Sequence, residues 1–242
     1  MPRIPNDNPR YRTKDEICED IALVEGTAQF PKVDGKSLHR YLLVGSLIRM
    51  QGETADRILQ TAHTLITDRG YSAFSYADIS DTVQISKASI HHHFPTKANL
   101  VVSVLKAHRE RFIQSAEALT QKLEDPFARL QAYVHHWEGC IRDNKEPFCI
   151  AALLAAELPS LPEEVRAGVQ QHFVELSGWI RKTLEEGVRK RSLKLQGTSE
   201  DEAQTFMALV HGAMLSARAL GSADVFHAAT ASALQRISTR KH

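Results

Sequence analysis

The residues best equipped for chemistry cluster between positions 75 and 97. Lys87 and Ser89 follow Ser86 closely, and His91, His92 and His93 come in an unbroken row. A lysine pairs with the acceptor edge of guanine and a serine with either base type, so the pair suits reading of base edges. Three histidines invite a metal. Consecutive helical side chains point about 100° apart, however, so three in a row do not converge on one ion, and no metal site is expected. Between Thr82 and Arg109 there is no Asp or Glu, while Lys87, Lys97, Lys106 and Arg109 are cationic. An acid-free stretch suits a polyanionic partner, although a merely solvated basic face has the same composition. The net charge of +1 adds nothing to this, so the inference is local.

A second group carries thiols and aromatics. Cys140, Cys149, Trp137 and Phe173 are candidates for sensing a small molecule or a redox change. Cys149 stands near the start of the helix expected over Phe148–Leu158, with Lys145 close by; a helix start and a cation would each lower a thiol pKa. The plainer reading is a small hydrophobe in a core. Ser103-Val-Leu-Lys106 matches the Ser-x-x-Lys pairing of some acyl-transfer enzymes, but the companion motifs are absent, as are P-loop and dinucleotide fingerprints. No catalytic residue, cofactor or enzymatic activity is expected.

These residues need helices to position them. Ala55, Ile58, Leu59, Ala62, Leu65 and Ile66 fall on one helical face, and Gly70 supplies a stop. Ser75 and Asp78 resemble a capping box opening a helix through about Val83. Ser86 is a cap for Lys87–His93, Pro95 ends that helix, and Thr96 caps a long one. Asp125-Pro126 opens the next. Phe148–Leu158, apolar nearly all round, predicts a central buried helix. Ser160-Leu-Pro-Glu163 predicts a capping box for a helix with Val165, Val169, Phe173, Leu176, Ile180, Leu184 and Val188 on its buried side. Two more helices are predicted over 199–220 and 223–237. About nine helices and no convincing strand make an all-α protein.

Two short helices across the turn Val83–Ser86 have the form of a helix-turn-helix, whose second helix enters the major groove. The residues then become specific. Ser86-Lys-Ala-Ser89, the His93-Phe94 pair and Thr96-Lys97 resemble the signature of the TetR/AcrR family of transcriptional regulators, as does Ser75 at the first motif helix. Gln84 departs from the family's usual Gly, and a left-handed backbone there costs roughly 1 kcal/mol. His91 replaces the usual Tyr. If it contacts phosphate, DNA affinity is expected to rise as pH falls toward about 6.5.

The resemblance implies a three-helix headpiece over 50–110 and a helical ligand-binding and dimerisation bundle over 111–242. It also implies a homodimer that binds a palindromic double-stranded operator and is released by an unknown small molecule. Ser75, Tyr76, Ser86, Lys87, Ala88, Ser89, His91, His92 and Lys97 are the expected DNA contacts. Cys149 and its surroundings are similar to a segment of electrophile-sensing members. The stripe Ala203, Phe206, Met207, Val210, Ala213, Met214, Ala217 and Leu220 is a candidate dimer face. The alternative is a helical ligand-binding or protein-interaction module without DNA function. Residues 1–49 hold scattered Pro, Gly and charge and a short apolar piece at 41–44. They are expected to form a disordered extension of unknown role, with Met50 an alternative start of translation. Three cysteines without metal-like spacing, no signal peptide and no apolar run of membrane length point to the cytoplasm and away from membranes.

Overall fold

The computed structural model describes residues 53–143 and 148–239. The extension 1–49, its apolar piece at 41–44 and the alternative start at Met50 lie outside the described residues. Among those residues there are nine α-helices: α1 (Glu53–Arg69), α2 (Tyr76–Val83), α3 (Lys87–His93), α4 (Lys97–Lys122), α5 (Pro126–Asp143), α6 (Ile150–Ala156), α7 (Glu163–Arg189), α8 (Ser199–Leu220) and α9 (Ala223–Ile237). No strand occurs among them; the one extended contact is an isolated bridge between Leu193 and Ser238.

The first helices fold as their caps dictate. The Ser75 hydroxyl accepts from the Ala77 amide, and the Asp78 carboxylate accepts from the Ser75 amide at 2.8 Å, a reciprocal cap on α2. Ser86 Oγ accepts from the Ser89 amide and starts α3, and Thr96 Oγ1 accepts from the Asn99 amide and starts α4. Ile58, Ile79, Ile90 and Leu100 are fully buried, so one side chain from each of the first four helices enters a common core.

Gln84, between α2 and α3, has φ 60° and ψ 47°, the left-handed conformation expected of a glycine position. Its side chain donates to the Asp81 carbonyl, which recovers part of the steric cost. Gln84→Gly is expected to raise stability by about 0.5–1 kcal/mol. A urea titration checks this, and an unchanged or lowered midpoint would contradict it.

Two expectations fail in the body. The Phe148–Leu158 helix is shorter: α6 covers Ile150–Ala156, and Leu158–Ser160 forms a 3₁₀ turn. Pro159 is the reason, because a residue before proline is pushed out of the α region. The Ser160–Glu163 capping box also does not form. Pro162 holds the N-cap of α7, and the Ser160 hydroxyl donates to the Glu157 carbonyl instead.

The buried side of α7 matches the hydrophobic expectation except at Phe173 and Val188. Val165, Val169, His172, Leu176, Ile180 and Leu184 face inward; Phe173 is half-buried and Val188 is exposed. A histidine therefore holds a core position. Helices α8 and α9 pack on each other, α8 also on α7 and α9 on α5, with Phe206 and Phe226 fully buried. Most of the candidate dimer stripe is spent in that intrachain core: Ala203, Phe206, Val210, Ala213, Met214 and Ala217 are buried. The outward face of these helices carries Ala208, Gly212, Leu215, Ser216, Ala228 and Ala231.

Arg129 is buried in α5. It donates to the Leu123 carbonyl at 2.6 Å and through both terminal nitrogens to Glu186 on α7. Arg129 first and Lys190 second hold Glu186 down to about 2. A carboxylate with a depressed folded pKa stabilises above its unfolded value and loses that contribution as pH falls through the folded one. Denaturation midpoints should therefore drop from about pH 4.5 towards 2 more steeply in the native chain than in Glu186→Gln. Parallel profiles would contradict the pairing.

Candidate nucleic-acid interface and its sensing core

Helix α3 is held from beneath. Ile90 is buried, and Ser80 Oγ donates to the Ile85 carbonyl across the turn at 2.6 Å. Arg57 of α1 donates to the Val83 carbonyl at 2.7 Å and fixes the end of α2. The opposite side of α3 faces solvent: Lys87, Ala88, His91 and His92 are exposed, as is the cap Ser86, while Ser89 is half-buried. A seven-residue helix with a cationic first turn and no acidic residue there is thus presented on a rigid support.

Other expected contacts are turned inward. The Tyr76 ring is buried and its hydroxyl donates to the Phe94 carbonyl at 2.7 Å, so this side chain ties α2 to the end of α3. Lys97 donates to the Phe74 carbonyl, and its ammonium lies 4.2 Å from the Phe74 ring centroid and 4.6 Å from that of Tyr71. Desolvation lowers its pKa. Lys97 closes the headpiece, and its charge is not displayed. The hydroxyl of Ser75 is occupied with Asp78. His91 places Nδ1 3.2 Å from the Pro95 carbonyl and its ring against Tyr76.

The acid-free stretch is also less cationic in space than in sequence. Arg109 forms a bidentate pair with Glu175, a residue 66 positions away, and Lys106 lies 4.0 Å from Glu110. Among the described residues no ion pair forms at Lys87, which leaves it the exposed cation of α3.

The sensing candidates divide into two groups. Cys149 is buried at the N-cap of α6, with Sγ 3.8 Å from Nε2 of both His108 on α4 and His172 on α7. Phe173 stacks near His172 and near His211 of α8. Cys140 lies instead 3.8 Å from His136, with Trp137 beside that ring. Lys145 lies outside the described residues; the described neighbours of the thiol include these two imidazoles. Both rings are neutral at pH 7: burial brings His172 down to about 4 and takes His108 well below its ordinary value. His108 and His172 were not singled out from sequence. The available signal was His172 at a core position of the α7 repeat.

The sensing core is joined to the headpiece by α4, which carries His108, and by the short helix α6. Cys149 begins α6 and Glu157 ends it. The Glu157 carboxylate accepts from the Tyr71 amide at 2.6 Å and the Ser72 amide at 3.1 Å, in the loop leading to α2. Gly70, at φ +83°, makes the approach possible, because a Cβ there would collide with Glu157 Oε1. Arg218 of α8 also donates to the Thr67 carbonyl of α1.

Residues 58–104 match the family model described as bacterial regulatory proteins, tetR family, and residues 126–233 match a tetracyclin repressor-like C-terminal domain. A crystal structure of a TetR-family transcriptional regulator from Agrobacterium tumefaciens is 49% identical, with a TM-score of 0.76, and the alignment covers 77% of this chain and 98% of that one. The chain belongs to the TetR family. The HTH-type transcriptional repressor NemR of Escherichia coli is 25% identical over 169 residues, 69% of this chain and 84% of NemR. The crystal structure of its reduced form gives a TM-score of 0.69 over 77% of this chain and 98% of that one. The regulator CymR of Pseudomonas putida is 24% identical over 71% of this chain and 82% of its own. This TetR-family chain is thus a DNA-binding transcriptional regulator, of a family that is not enzymatic. No helix among the described residues is long and apolar enough to cross a membrane.

Proposed function

We propose that the chain is a homodimeric repressor of the cytoplasm that binds a palindromic operator through α3 and leaves it when an effector reaches the Cys149 core. The exposed start of α3 carries this reading. These exposed side chains support it: Lys87 would pair with guanine acceptors, the Ala88 methyl would meet a thymine methyl, and His91 and His92 would meet the backbone. Lys97, Tyr76, Ser75 and Ser89 hold that surface in place more than they extend it. The headpiece of this proposal ends within α4, which runs unbroken past residue 110.

One headpiece reads one half-site, so two copies are needed about one turn of DNA apart. The small-residue outward face of α8 and α9 allows close packing of a second copy. A small molecule or a thiol adduct at Cys149 would alter the start of α6. Glu157 at its end would carry the change to the loop before α2 and shift the population of headpiece spacings. Footprinting on the DNA beside the gene tests the proposal: two protected half-sites related by a dyad, one turn apart, are expected. Protection of a single half-site by a monomer would overturn it.

A further inference from the structure

We propose that Cys149, His108 and His172 form a binding site for one borderline-soft metal cation of the Zn²⁺ class. The three ligand atoms come from three different helices, α6, α4 and α7, and all lie within 4.8 Å of one another. The sulfur is 3.8 Å from each Nε2. A Zn–S bond of about 2.3 Å and a Zn–N bond of about 2.05 Å, opened by about 110–120°, place sulfur and nitrogen about 3.5–3.8 Å apart. The two sulfur-to-nitrogen edges therefore have the dimensions of a three-coordinate site before any ion enters, and the two nitrogens, within 4.8 Å of each other, would close to about 3.5 Å on binding.

The chemistry of the donors agrees. Thiolate with imidazole selects Zn²⁺ or Cu⁺ over Mg²⁺ and Ca²⁺, which take oxygen. Each imidazole presents Nε2 to the sulfur, the atom whose lone pair would turn to the ion. His172 is 3% exposed, and its Nδ1 has no hydrogen-bond partner among the described residues. At Nε2 a metal bond would compensate the lost hydration better than a 3.8 Å sulfur contact does, while Nδ1 would stay unpaired. Ring contacts with Phe112 and Phe173 fix its plane. Three protein ligands leave a fourth position open to water or a small anion, the pattern of an exchangeable ion. Binding would transfer the Cys149 thiol proton to solvent, one per ion.

The site goes beyond the effector reading above and does not depend on it. Co²⁺ added to the reduced full-length protein is the probe. One equivalent should produce a sulfur-to-cobalt charge-transfer band in the near ultraviolet, with intense visible bands of low-coordinate cobalt. Cys149→Ser should abolish the charge-transfer band. His172→Gln and His108→Gln should each weaken binding by more than about tenfold. Cys140→Ser, Cys18→Ser and the double change His91→Ala with His92→Ala should leave the signal intact. His108, half-buried, keeps the test open if the His172 variant does not fold. No thiolate band in the native chain, a band that survives Cys149→Ser, or affinity unchanged in the folded histidine variants would overturn the proposal. DNA retention of the metal-free protein is measured alongside. Its absence with cobalt binding intact would count against the repressor reading and leave the metal site standing.

Discussion

Exchanging Lys87 and Ser89 together for glutamate is expected to abolish operator binding while leaving the headpiece folded. Lys87 lies in the exposed first turn of α3, and the Ser89 amide is already engaged by the Ser86 cap. A glutamate at position 89 completes a Ser-x-x-Glu capping box with Ser86 and lies near the positive end of the helix, so α3 itself loses nothing. The groove it would enter is lined with phosphates. Losing one base contact of about 1–3 kcal/mol in each of two half-sites, with two new repulsive charges per headpiece, weakens binding by about 10³-fold or more. Fluorescence anisotropy with the operator, alongside thermal melting, makes the comparison. Wild-type affinity in the folded double variant would remove α3 as the reading helix.

The second large effect belongs to Glu157. Its two oxygens accept from the amides of Tyr71 and Ser72, groups more than eighty residues away in sequence. Glu157→Ala leaves the half-buried Tyr71 amide without its charged acceptor and should cost about 2 kcal/mol. For a chain of this size that is a fall in Tm of roughly 4–8 °C. Glu157→Gln keeps one acceptor oxygen and should lose less. Hydrogen exchange should quicken at Tyr71 and Ser72 before it quickens within α3, because the clamp is removed while Ile90 stays buried. A melting curve superimposable on the native one would show that the carboxylate joins nothing.

What the sequence disclosed and what it hid follow physical lines. Caps are local, and Ser75, Ser86 and Thr96 act as their neighbours dictate. The left-handed turn at Gln84 was legible only through the family resemblance, because glycine is usual at that position. Ser160 misled because Pro162, between it and the acid, holds the cap position with no side-chain acceptor of its own. Hydropathy placed Phe173 in the core of α7 where the helix turns His172 inward, so the imidazoles around Cys149 stayed out of view. Charge counting failed for the same reason that local rules succeed. Arg109 is neutralised by Glu175 and Lys97 turns onto the Phe74 carbonyl, partners that only the fold brings near. Tyr76, whose hydroxyl donates to the Phe94 carbonyl, was expected at DNA through the resemblance alone.

The most direct measurement is the dependence of operator affinity on salt. A dimer that neutralises several phosphates per headpiece releases their counterions, so log K should fall steeply and linearly with log[salt], at about −0.9 per phosphate contacted. Converting Lys87 to Gln should make that line shallower, by about one unit for each copy of α3 that meets a phosphate or base through this ammonium. A line without slope, or one indifferent to Lys87, would mean that α3 does not lie in the groove.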